Sequence, residues 1–108
     1  MFPMNEDEIK KQIFTKGPGF FRLYNKKGTV LRVGMHESDL MTELLKFVKP
    51  KYESFDFKMT NTDKTAWFQL CEAFHFHKKN DFLESDEHPT PPKGKFWTCH
   101  VCEDKNRY

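Results

Sequence analysis

The chain has 108 residues, enough for one hydrophobic core, since a chain this short buries only about two thirds of its unfolded surface. Twelve Phe, two Trp and three Tyr among 31% charged residues exclude wholesale disorder, and a net charge of +2 is no strong nucleic-acid footprint. No apolar run approaches the roughly 20 residues of a membrane span and the N-terminus lacks a signal-peptide core, so a soluble, cytoplasmic protein with no membrane partner is expected.

Asn5-Glu6-Asp7-Glu8 followed by Ile9, Ile13 and Phe14 predicts a short helix capped near Asn5 with an acidic first turn. Gly17-Pro18-Gly19 breaks the chain and launches a β-hairpin over 18–34, turning at Asn25-Lys26-Lys27-Gly28. The expected register sets Leu23 against Leu31 and Phe21 against Val33, which places Arg22 beside Arg32 on the other face as a candidate anion site.

Ser38 is a candidate cap for a helix carrying Leu40, Met41, Leu44, Leu45, Phe47 and Val48, stopped by Pro50. Residues 52–59 alternate, with Phe55, Phe57 and Met59 on one side and Ser54, Asp56 and Lys58 on the other, the pattern of a half-buried third strand. Thr60-Asn61-Thr62-Asp63 is a turn and cap for a helix through Ala66, Trp67, Leu70, Cys71, Phe74 and His77, with Glu72 on its opposite side between Phe68 and Phe76. Residues 80–95 read as a proline-rich loop, and Trp97, Cys99 and Val101 as one face of a short terminal strand. The order implies an α/β chain of the α+β type, a small central sheet of a hairpin plus a third strand flanked by helices, in a single domain over 1–108 with its core at about 17–80.

Pro18-Gly19, Arg22-Leu23-Tyr24, the turn with Gly28, then Val30-Leu31, one residue and Val33-Gly34 follow one another without a gap, and this run resembles the opening of a GIY-YIG nuclease domain, especially that of the bacterial nucleotide-excision-repair nuclease. Gly19-Phe20-Phe21 stands at the first family triplet and Arg32-Val33-Gly34 at the second, so Phe21 and Arg32 replace the two tyrosines. The resemblance covers roughly residues 17–80 and implies a single Mg2+ or Mn2+ held by Glu72, with basic groups on the phosphate. The family arginine of the following helix would fall at Thr42 or Glu43, and Met35 stands in place of a lysine. Arg22 and Arg32 are candidate phosphate ligands and His36 a candidate base, imidazole being a side chain suited to that work.

Cys99 and Cys102 form a C-x-x-C, half of a zinc site, to which one of His75 and His77 can add a ligand, with His88 and Cys71 as further candidates. Two functions follow: a nucleic-acid (DNA or RNA) or protein interaction module with an impaired nuclease site, which is favoured, or a metal-dependent endonuclease with a non-standard site.

Overall fold

The computed structural model describes residues 1–78, 83–84 and 87–102. Strand β1 (Phe2–Pro3) precedes helix α1 (Glu6–Gln12), the hairpin β2 (Gly19–Tyr24) and β3 (Val30–His36), helix α2 (Leu40–Leu45), strand β4 (Ser54–Met59) and helix α3 (Asp63–His77). All pairings in the four-stranded sheet are antiparallel and its order is β1-β4-β2-β3. The α+β architecture read from the sequence is therefore present, with one short strand, β1, added at the edge.

Local chemistry fixes the element ends. Asn5 caps α1 by accepting from the Glu8 amide at 2.8 Å, and Thr62 caps α3 by accepting from the Thr65 amide at 3.1 Å. The hairpin turn has Gly28 at φ 79°, while the Asn25 side chain accepts from the amides of Lys27 and Thr29, each at 2.9 Å. The cap of α2 is Asp39 rather than Ser38, and the helix ends at Leu45, ahead of Pro50. Beyond that end Phe47 folds back onto Phe21, ring centroids 5.6 Å apart.

The hairpin register differs from the expected one. Tyr24 does face Val30, but Leu31 enters as a bulge, so that Leu23 faces Arg32, Arg22 faces Val33 and Phe21 faces Gly34. A one-residue shift moves every later side chain to the other side of the sheet, and Arg22 and Arg32 thus lie on opposite faces rather than side by side.

Those faces build two cores. Under α1 and α2, Ile9, Phe21, Leu23, Leu40, Leu44 and Phe55 form one cluster. On the other side, Val33 and Met35 of β3 meet Trp67, Leu70 and Cys71 of α3, and the C-terminal segment adds Trp97 and Cys99. The expected terminal strand is absent, because residues 95–99 are irregular and a helical turn begins at His100. The proline-rich loop is irregular where it is described, at 83–84 and 87–95; its residues 80–82 and 85–86 lie outside the described residues. Among the described residues, no helix is long and apolar enough to cross a membrane.

Candidate metal centre and neighbouring cleft

Helix α3 presents His75 toward the C-terminal segment, where four side chains from three parts of the chain converge. The ligand atoms of His75, His88, Cys99 and Cys102 all lie within 4.8 Å of one another. His75 Nε2 is 3.2 Å from His88 Nε2, 3.5 Å from Cys99 Sγ and 3.3 Å from Cys102 Sγ. Atoms bound tetrahedrally at about 2.0–2.3 Å from one ion stand about 3.3–3.8 Å apart, so the three distances from His75 are close to those of a ligand shell. Three partners aimed at one imidazole nitrogen exceed what its single lone pair or proton can satisfy, whereas a cation at the centre satisfies all four. His88 supplies the orienting contact: its Nδ1–H donates to the Pro89 carbonyl at 2.8 Å, which leaves the Nε2 lone pair facing the group. These four residues can hold a metal ion.

Of the ligands that the sequence offered, Cys99 and Cys102 are joined by His75 and His88. His77 points instead into a cleft, two positions along the helix and hence on its other side. Cys71 sits against the centre without belonging to it: burial first, and then the neighbouring Cys99, push its thiol well above the usual range. Sequence periodicity narrowed the histidines, but the pairing of His88 with a tail 11 residues away across a proline-rich loop left no periodic signal.

The cleft has a volume of about 550 Å³, and Arg22, Asp56, Lys58, Glu72, Phe76 and His77 are among its lining residues. Arg22 is committed to Asp56 through Nε and Nη2, at 2.9 and 2.8 Å, and Tyr24 donates to the same carboxylate at 2.6 Å. Burial, and after it the Arg22 guanidinium, hold the His77 imidazole below its ordinary pKa. Glu72 is exposed at the rim and meets His100 Nε2 at 3.1 Å.

No family model matches this chain, and neither a curated protein nor a solved structure does.

The remaining positions singled out in the sequence lie elsewhere. Arg32 is on the α2 face, where Nε donates to the Tyr52 hydroxyl at 3.2 Å and meets Glu84 at 3.3 Å, with the guanidinium 4.9 Å from the Phe47 ring centre. Burial acts to raise the Glu84 pKa, but hydrogen bonds from Lys51 and Tyr52 outweigh it and leave the carboxyl below its usual range. His36 ends β3, and its Nδ1 accepts from the amides of Ser38 and Asp39 at 3.0 and 2.8 Å, tying the strand to the start of α2. Phe21 is buried, and its ring lies against Gly34 so closely that a Cβ there would overlap it. Gly19 is crowded as well, by the Lys58 carbonyl 2.7 Å from where a Cβ would be. Glu72 and Arg22 therefore share one cleft, whereas Arg32 and His36 are on the opposite face of the sheet. Asp56 and Glu84, the partners that neutralise the two arginines, were not singled out in the sequence; the position of Asp56 on the polar face of its strand was the available signal for the first.

Proposed function

We propose that the chain is a GIY-YIG-like interaction domain that carries a structural zinc ion and binds a partner protein without cutting nucleic acid. The fold is compatible with the resemblance: β2 lies between β3 and β4, and a helix follows the hairpin and another follows β4. The observation that carries the non-catalytic reading is the separation of Glu72 from Arg32 and His36 by the sheet, with both arginines already bonded to the chain's own carboxylates. Phosphodiester cleavage needs its metal ligand, base and phosphate-neutralising cations around one reacting centre.

Zinc is favoured by the donor set. Two thiolates with two imidazoles suit that ion, whereas Mg2+ prefers oxygen ligands, as does Mn2+ in carboxylate sites. Four protein ligands leave no open position for a reacting water, which makes the role structural. A protein partner is preferred to DNA or RNA because internal pairing occupies Arg22 and Arg32, the two candidate phosphate ligands. Phe76 and Phe96, 77% and 93% exposed, supply apolar contact surface.

Incubating branched, flapped and single-stranded substrates with Mg2+ or Mn2+ tests this reading. Neither wild type nor Glu72→Gln is expected to cleave them; wild-type cleavage lost in the variant establishes the endonuclease instead. Elemental analysis of chain purified without chelator is expected to give about one zinc per molecule, and less than about 0.2 removes the zinc assignment.

A further inference from the structure

Cys71 and His75 are four residues apart on α3 and therefore stack on one helical face. Helix α3 reaches the C-terminal segment through both. His75 meets Cys99 and Cys102 at the metal centre, and Cys71 and Cys99 belong to one buried cluster. Cys71 is fully buried within the same apolar cluster as Cys99, which is 5% exposed.

Resting on the zinc reading above, we infer that Cys71 is the resolving thiol of this centre: hydrogen peroxide expels the zinc and joins Cys71 to Cys99 in a disulfide. The Cys99 thiolate attacks one peroxide oxygen, the O–O bond breaks, hydroxide leaves and Cys99 becomes a sulfenic acid. The Cys71 sulfur then attacks the Cys99 sulfur; the S–O bond breaks, and the departing hydroxide takes the Cys71 proton as water. The two sulfurs together give up two electrons to one peroxide. Cys99 can no longer act as a thiolate ligand, the remaining three ligands hold zinc less tightly, and the ion leaves. A Cys99–Cys102 disulfide would only join neighbours in the chain, whereas Cys71–Cys99 links the same two elements that the metal links. The C-terminal segment thus stays on α3 in both states, and the switch exchanges a metal staple for a covalent one.

The test treats the full zinc-loaded chain with peroxide, follows zinc release with a colorimetric indicator and maps disulfides by mass spectrometry of unreduced peptides. Expected is release of zinc in step with a Cys71–Cys99 linked peptide, both reversed by dithiol plus zinc. Cys71→Ala is expected to bind zinc in the same ratio as wild type and to form no such link. A Cys99–Cys102 link in wild type, or zinc loss with no link, overturns the proposal. The same mapping on metal-free chain separates the two readings. A Cys71–Cys99 link in a protein that never binds zinc upholds the thiol pairing while the zinc assignment fails. If Cys71→Ala does not fold, the wild-type peptide map alone decides.

Discussion

Arg22 and Asp56 stand directly opposite each other on β2 and β4, joined by two hydrogen bonds of 2.9 and 2.8 Å. Their side chains keep 34% and 24% of their exposure, so the pair is half screened, and its value lies in bidentate geometry more than in burial. Asp56→Ala leaves both the guanidinium and the Tyr24 hydroxyl without their acceptor. We expect it to destabilise the fold by about 1.5–3 kcal/mol, the range for hydrogen bonds to charged groups, as read from urea denaturation. The double change Arg22→Met with Asp56→Leu should cost less, because no charge is then left unpaired. A midpoint unmoved by Asp56→Ala would show that solvent already screens the pair.

Tyr24 gives this network a pH dependence. Burial first, then the hydrogen bond to Asp56, push its phenol up to about 12, against about 10 in an unfolded chain. The folded state therefore holds this proton more tightly, so its contribution is fully present below pH about 10 and is lost as pH rises through about 12. Ultraviolet titration of tyrosinate should show one late-ionising residue that disappears in Tyr24→Phe. The variant's stability should fall less between those two pH values. Equal slopes in both proteins would refute the assignment.

Gly34 is required by the ring of Phe21 rather than by its backbone, since a Cβ at this position would overlap that ring. Gly34→Ala should destabilise by about 1–3 kcal/mol through overpacking. Phe21→Leu shortens the obstructing side chain, so the double variant should lose less stability than the sum of the two single losses. Strict additivity, measured by chemical denaturation, would mean that the strand shifts instead of clashing.

Removing metal should loosen the α3 side of the molecule ahead of the α1/α2 side. Trp67 lies 6.0 Å from Trp97 and 6.4 Å from His88, ring centre to ring centre, so tryptophan fluorescence reports this side directly. Chelation is expected to change that emission and lower Tm, with zinc restoring both and Mg2+ restoring neither. His88→Ala should reproduce the chelated state without chelator. Identical melting of the loaded and stripped chain would leave the centre without a structural role.

The sequence by itself determined the element order from α1 to α3, the cap at Asn5, the cap within residues 60–63, the Gly28 turn and the alternation of β4, because each depends on residues within a few positions of one another. It also marked Cys99 and Cys102 as half of a ligand set, and separated His75 from His77 by the helical repeat. The tertiary structure alone decided the rest. Leu31 entered as a bulge and sent Arg22 and Arg32 to opposite faces, which removed the paired anion site that unbroken alternation implied. Asp56, 34 residues from Arg22, and Glu84, 52 residues from Arg32, then became their partners, and His88 arrived beside His75 from an irregular loop. Local periodicity states which way a side chain points within its own element. Which groups meet is set by register and by how separate elements dock, and those depend on packing across the whole sheet.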